Sequence, residues 1–406
     1  RIVIRSHPET TAGHRPGYFG PEDETDRISL LTEPVDPWTL LEGAVGVYCV
    51  SSQLGFEAIL MGHRPAVFGQ PFYAGWGLTD DRHPLGYPGG RRGRVLTPAQ
   101  MFACAMLLYP TWYHPCEDRL CDFEDALDWL EARVRAWRED RHGWQAGGMR
   151  LWKRGVIQQV FGSETRVVFS DDVPEPPRRR MVWAGQAEDG ADVVRVEDGF
   201  LRSRGLGAEL VPPLSLACDD LGIYYDPTRE SRLERMIAAR ARLRPDQEAR
   251  AEELVESLIR LGLTKYSLPG ALPDLPEGRR ILVPGQVEDD ASIHLGAGEI
   301  ATNRALLEAA RAANPGAVIL YKPHPDVEAG LRPGAVTAPD RWADVTLSQA
   351  DMGALLPQVD EVWTLTSLTG FEALMRGRKV TVLGAPFYAG WGLTRDLGPV
   401  PARRLA

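Results

Sequence analysis

One long segment of this chain occurs twice, so any fold proposed for it must build the same substructure in two places. Gly55–Thr79 (GFEAILMGHRPAVFGQPFYAGWGLT) and Gly370–Thr394 (GFEALMRGRKVTVLGAPFYAGWGLT) agree at 16 of 25 positions. The offset is 315 residues, far longer than a solenoid unit, which makes the repeat a module of about two domains. The similarity extends upstream. RIVIRSHP, ending at Pro8, corresponds to AVILYKPHP, ending at Pro325; His7 precedes Glu57 by 50 residues, and His324 precedes Glu372 by 48. Downstream, Arg91 and Arg92 correspond to Arg403 and Arg404.

Between the copies the pattern alternates. Val167–Ser170, Met181–Ala184, Asp192–Val196, Ile281–Pro284 and Val318–Tyr321 are short β-branched runs that predict buried parallel strands. Ala251, Leu254, Val255, Leu258 and Ile259 share one face of a predicted helix, and Asn314-Pro315-Gly316 stops another. This is an α/β pattern, with ligands expected beyond the C-terminal ends of the strands. Breaks are expected near His142–Gly148 and at the Pro/Gly-rich Ser267–Gly278, dividing the chain into 1–147, 148–268 and 269–406. Arg1–Ser6 already reads as a strand, so the reading expects a fragment that begins inside a domain.

Composition narrows the function. With 46 basic and 56 acidic residues the net charge is −10, which disfavours a broadly cationic nucleic-acid surface; an anionic ligand must be held locally. The longest apolar run, Met101–Tyr109, falls well short of the roughly 18 residues of a membrane span. Five cysteines without a CxxC pair fit reduced cytosolic thiols better than a disulfide framework or a zinc site.

Four stretches carry chemistry. Lys322-Pro323-His324-Pro325 follows a strand and offers two phosphate donors on a backbone restricted by proline. Alone it would be a rigid turn, but it recurs around His7. Thr366-Ser367-Leu368-Thr369-Gly370-Phe371-Glu372, repeated as Ser51-Ser52-Gln53-Leu54-Gly55-Phe56-Glu57, predicts a capped helix whose N–H groups favour an anion, with Gly370 giving room for close approach. The third, Glu197-Asp198-Gly199-Phe200-Leu201-Arg202, places acids at a strand end for proton transfer and an arginine for a carboxylate. The fourth, Gly285-Gln286-Val287-Glu288-Asp289-Asp290, sets three acids in an extended run, of which one or two face a cleft; metal binding is the weaker reading. One of these acids opposite Glu197 would supply the pair used in retaining glycosyl transfer. Pro386–Thr394 and Pro71–Thr79 (PFYAGWGLT) read as a packed loop whose rings also suit a base or sugar.

EDGFLRS, GQVEDDAS, KPHP, TSLTGFEAL and PFYAGWGLT, in this order, resemble the capsule polysaccharide biosynthesis family, in particular its KpsC-type dual-module Kdo transferases of Gram-negative bacteria. The resemblance covers nearly the whole chain. It implies a GT-B-like glycosyltransferase of paired Rossmann-like domains, in a duplicated module with the first copy cut at its N-terminus and the second at its C-terminus. It also implies retaining transfer of β-Kdo from CMP-β-Kdo to a lipid-linked, Kdo-bearing acceptor for the capsule linker. By motif, Asp290 would be the nucleophile, with Asp289 the fallback, and Glu197 the acid/base. Lys322, His324, Thr366 and Ser367 would hold the CMP phosphate, Glu372 the ribose, and Arg202 or Gln286 the Kdo carboxylate. No metal or other cofactor is implied. The partners would be CMP-Kdo, a glycolipid at the inner face of the inner membrane and other capsule assembly or export proteins, the location cytoplasmic and peripheral. Residues 1–147 contain no EDGF or QVEDD stretch, so His7, Ser51, Ser52 and Glu57 would be a donor-binding remnant. The other readings are a non-catalytic carbohydrate-binding or export-assembly component, and a GT-B sugar-nucleotide epimerase.

Overall fold

A computed structural model describes residues 1–33, 35–86, 91–172, 178–188, 190–205, 210–240, 242–268 and 270–403. Arg404, matched above to Arg92, lies outside them. The chain forms two compact units, Arg1–Val134 and Arg135–Ala406.

In the first unit, Ile2–Arg5 pairs in parallel with Ile28–Leu31, and Tyr48–Cys49, Ala66–Val67 and Asp80–Asp81 form a second parallel sheet. Phe56 and Ile59 of the helix Leu54–Leu60 pack with Val67, Tyr73 and Met101 in its core.

The second unit contains two α/β sheets. In the first, the strands Trp144–Gly147, Val168–Phe169, Arg179–Trp183, Val194–Asp198 and Leu216–Asp219 lie in the order 5-4-3-1-2, all parallel except the last. Trp144–Gly147 is fully buried within the sheet. It falls in the stretch His142–Gly148 expected as a break: its single glycine-rich end looks like a linker, whereas its Trp144 and Ala146 side chains pack into the core with Ile157 and Phe161. In the second sheet, Arg280–Pro284, Val318–Lys322, Val345–Thr346, Glu361–Thr364, Lys379–Val382 and Arg395–Asp396 are parallel in the order 3-2-1-4-5-6, the doubly wound arrangement. Its core lies on both faces, Leu282, Leu320 and Val362 on one side and Ile281, Ile319 and Trp363 on the other, as period-2 alternation requires of a sheet covered by helices twice over.

The helix Pro245–Arg260 is longer than its apolar stripe, and the stripe is not buried: Leu254 is 54% exposed. Periodicity identified the helix and overstated its packing. No helix among the described residues is long and apolar enough to cross a membrane.

Candidate active site

In a doubly wound sheet the crevice opens where the strand order reverses, here between Arg280–Pro284 and Glu361–Thr364. Gln286, just beyond the first of these strands, ties their ends together. Its Nε2 donates to Thr366 Oγ1 at 2.9 Å, and its Oε1 accepts from the Thr366 N–H at 3.0 Å and the Thr364 hydroxyl at 3.2 Å. Its side chain is thereby held against the Thr366 turn, in the cleft that it lines.

The two adjacent acids part company. Asp290 caps the helix Ala291–Gly296, its Oδ2 accepting from the Ser292 N–H at 3.2 Å and hydroxyl at 2.6 Å, and Ser292 Oγ lies 3.4 Å from Thr366 Oγ1. Asp289 instead pairs with Arg332 at 2.8 Å, with half of its side chain exposed. Asp290 lines the cleft; Asp289 does not.

His324 caps the helix Pro325–Glu328, Nδ1 accepting from the Asp326 N–H at 3.1 Å. An accepting Nδ1 leaves the ring proton on Nε2, available as a donor. Burial, with Lys265 and Lys322 nearby, depresses its pKa to about 3, so at neutral pH the ring donates without carrying charge. Lys322 is less free than its motif suggests: its Nζ contacts Glu328 at 3.5 Å and the Pro323 carbonyl at 3.3 Å.

Ser367 caps the helix Leu368–Met375 by accepting from the Thr369 N–H at 3.2 Å. The Tyr388 hydroxyl donates to the Ser367 carbonyl at 2.5 Å, and a methyl group on Gly370 would collide with that hydroxyl. Gly370 therefore makes room for a tyrosine, not for a ligand as expected. The first unit repeats the arrangement. Tyr73 donates to the Ser52 carbonyl at 2.5 Å, Gly55 faces the Tyr73 hydroxyl, and His7 caps Pro8–Thr11. Arg92 binds the carbonyls of Pro71 and Ala74 as Arg403 binds those of Pro386 and Ala389, so the contacts pair Arg403 with Arg92 and shift the sequence match by one residue. PFYAGWGLT is thus first a brace for the turn that precedes each capped helix. Gly370→Ala is expected to destabilise the chain by about 1–3 kcal/mol through overpacking. Tyr388→Phe is expected to cost about 0.5–1.5 kcal/mol by removing one of the two hydrogen bonds that the Ser367 carbonyl accepts, the other coming from the Gly370 N–H. Because the hydroxyl is the obstacle, the double variant should lose clearly less than the sum in urea unfolding; simple additivity would reject this packing.

Glu372 is buried, and its Oε1 accepts from the Lys265 N–H at 2.7 Å; burial holds its carboxyl up at about 7. The Lys265 carbonyl accepts in turn from the N–H groups of Arg202 and Ser203, so one backbone unit connects Glu372 to the acidic loop.

That loop forms the opposite wall. Glu197 and Asp198 end the strand Val194–Asp198. Burial raises the Glu197 carboxyl to about 7, against the pull of the Asp198 N–H and Lys153. Arg202 is 1% exposed and pairs with Asp198 at 2.5 Å, while its other nitrogens donate to Ser203 Oγ and the Val211 carbonyl. It holds the loop from within. Phe200 stacks on Phe387 with ring centroids 4.8 Å apart, seating this loop on the second sheet's PFYAGWGLT turn.

A cleft of about 740 Å³ is lined by Glu197, Arg202, Gln286, Asp290, Lys322, His324, Thr366, Ser367 and Glu372. Tyr225 lies there too, its phenol held neutral by burial and by the charges of both Glu197 and Asp290. His7, Ser51, Ser52 and Glu57 belong to the first unit, where the first three are exposed: the His7 side chain is 68% accessible against 19% for His324. Among the described residues, no three His, Cys, Asp or Glu side chains converge as a metal site.

Sequence reasoning missed Lys153, Lys265, Trp152, Trp183 and Tyr225, which also line the cleft. One signal was available. Only four of the 46 basic residues are lysine, and Lys153, Lys265 and Lys322 all face this cavity.

The profile described as "Capsule polysaccharide biosynthesis protein" matches residues 1–109, 155–261 and 274–405. The chain belongs to this capsule polysaccharide biosynthesis family. Within it, the chain is 41% identical over 431 aligned residues to the capsule polysaccharide modification protein LipA of Neisseria meningitidis serogroup B, covering 99% of this chain and 60% of the relative. It is 47% identical over 287 residues to the lipopolysaccharide-processing protein LpsZ of Rhizobium meliloti, covering 63% and 64%. The chain thus spans about 60% of the length of the LipA proteins it matches. Among solved structures it is similar to the Thermosulfurimonas dismutans KpsC β-Kdo 2,4 transferase, with TM-score 0.58 and 33% identity. The β-Kdo 2,7 transferase from the same organism gives TM-score 0.52 and 35% identity; each match covers 65% of this chain and 86% of the other.

Proposed function

We propose that the second unit is a GT-B-like glycosyltransferase that moves Kdo from CMP-β-Kdo to a Kdo-bearing glycolipid in capsule linker synthesis, with retention of configuration. The observation that carries this reading is one cleft lined by Asp290 and Glu197, with a neutral His324 and a capped helix also facing it. The names of the solved relatives support the sugar; the paired carboxyl groups support the two-step route.

In the first step an Asp290 oxygen attacks the anomeric carbon, and the bond to the phosphate oxygen breaks with its electron pair leaving on CMP. His324 Nε2–H and the helix beginning at Leu368 face the charge that develops there, where fixed donors are most effective. In the second step Glu197, as carboxylate, accepts the proton of an acceptor hydroxyl while that oxygen attacks the same carbon, and the ester to Asp290 breaks. Two inversions give retention. Gln286 and Arg202 act as positioning residues, one holding Thr366 and the other the Glu197–Asp198 turn.

Incubation with CMP-Kdo and a Kdo-terminated acceptor, followed by NMR of the product, tests the reading. A new β-linked Kdo is the expected result; an α linkage, or CMP release without transfer, would reject it.

A further inference from the structure

We propose that Glu372 is a positioning residue for Glu197: through the linker 263–267 it ties the acid/base loop to the helix that faces the leaving phosphate. This rests on the transferase reading, in which Glu197 is the base of the second step.

Glu372 is buried yet takes part in neither step. It is 5% exposed, and enclosing a carboxyl costs free energy unless its oxygens find donors. The donor it finds belongs to another segment, the Lys265 N–H, 2.7 Å from its Oε1 and 107 residues away. Arg376, one turn further along, adds a second tie. Its guanidinium donates to the Glu372 carbonyl and to the Leu263 carbonyl, each at 3.0 Å. The helix Leu368–Met375 and its C-cap Arg376 thus grip the linker at both Leu263 and Lys265. The linker is itself a fixed turn, in which the Ser267 hydroxyl donates to the Thr264 carbonyl at 2.9 Å and the Ser267 N–H to Thr264 Oγ1 at 3.3 Å.

The loop after Glu197 hangs on the same linker. The Lys265 carbonyl accepts from the N–H groups of Arg202 at 3.0 Å and Ser203 at 3.2 Å, and the Tyr266 carbonyl from that of Gly205 at 3.1 Å. Arg202 pairs with Asp198, whose N–H donates to Glu197 Oε1 at 3.0 Å. The connection runs from Glu372 through Lys265, Arg202 and Asp198 to Glu197, and every link is a hydrogen bond or an ion pair. It begins on the helix that Ser367 caps and ends at the base, so it sets the distance between leaving-group side and acceptor side. A misplacement of about 1 Å there is worth about 10²-fold in rate. The groups facing Glu197 are Asp198 on its own strand, Lys153 of the helix Leu151–Phe161, Lys265 of the linker, and Tyr224 and Tyr225; those facing Glu372 are Lys265, Arg376 and Tyr388. A loosened linker admits water to Glu197, and a carboxyl raised by burial then moves down towards its ordinary range.

Two measurements test the tie: the rate at which enzyme preloaded as the Asp290 ester passes Kdo to a Kdo-terminated acceptor, followed against pH, and amide hydrogen exchange at Lys265, Arg202 and Ser203. Glu372→Met, close in volume but without an acceptor, should still form the ester and should transfer from it about 10²-fold more slowly. Its rise of rate with pH should shift to lower pH, and the three amides should exchange faster. Glu372→Gln, whose amide oxygen still accepts from the Lys265 N–H, should keep the position of that rise and the protection of the amides. Arg376→Met, which frees only Leu263, should move both readouts in the direction of Glu372→Met by a smaller amount, and it replaces that variant if Glu372→Met does not fold. A pH profile and amide protection unmoved by the methionine substitution, or altered equally by methionine and glutamine, would overturn the proposal. A wild-type chain that forms no ester with CMP-Kdo would overturn the transferase reading, and the exchange contrast between the methionine and glutamine variants would still decide the tie.

Discussion

Replacement of Asp290 by asparagine is expected to lower transfer by about 10⁴-fold or more and to abolish the covalent Kdo adduct in intact-mass spectra. Asparagine is the informative substitution because it caps a helix about as well as aspartate, so the Ala291–Gly296 helix and its Ser292 contact should survive while the attacking carboxylate is lost. Asp290→Ala, which also removes the cap at a cost of about 0.5–2 kcal/mol, separates loss of chemistry from loss of fold when its thermal transition is compared with that of the asparagine variant. Asp289→Ala is the matching control. That carboxylate faces Arg332 at the surface, and its removal should alter transfer by no more than about threefold, the scale of an exposed ion pair. A stable adduct in Asp290→Asn, or its disappearance in Asp289→Ala, would assign the nucleophile to the wrong residue.

Glu197→Gln is expected to act on the other half of the reaction. The first displacement expels a phosphate, which leaves as an anion and needs no proton from Glu197; the second needs a base for the acceptor hydroxyl. The variant should therefore accumulate the adduct while transfer falls by about 10²–10⁴-fold, the range for loss of general acid–base catalysis. The pH dependence carries a sign. Burial holds the Glu197 carboxyl at about 7, and the base is the deprotonated form, so transfer from the adduct should rise through pH 7 and level off above it. That limb should vanish in Glu197→Gln. Absence of an adduct in this variant would mean that Glu197 acts in the first step, and an unchanged pH limb would place the base elsewhere.

The strand-end motifs were legible because each is a local object. A β-branched run, a proline-flanked histidine and a Ser/Thr before a helix report their own conformations, and the recurrence of His7 and His324 as caps follows from the same short pattern in each copy. The helix at Pro245–Arg260 was legible for the same reason, while the exposure of Leu254 was not, since burial depends on what packs opposite. The candidate site divides along the same line. Gln286 and Arg202 have the donors of a carboxylate ligand, yet Gln286 spends its amide on Thr366, 80 residues away, and Arg202 is enclosed with Asp198 and Val211. Lys153 carries no motif at all.

By itself, the sequence determined the α/β class, the repeat, the family and the four strand-end stretches that line the cleft, because these depend on periodicity, capping and turn propensity within a few residues. Only the tertiary structure decided that Asp290 and not Asp289 faces the cleft, that Gly370 accommodates Tyr388, that Glu372 reaches the Lys265 N–H 107 residues away, and that Lys153 and Lys265 line the same cleft as Glu197. The physical reason is that a side chain's role is set by its partners and its desolvation, and both arise from elements brought together across a long stretch of chain.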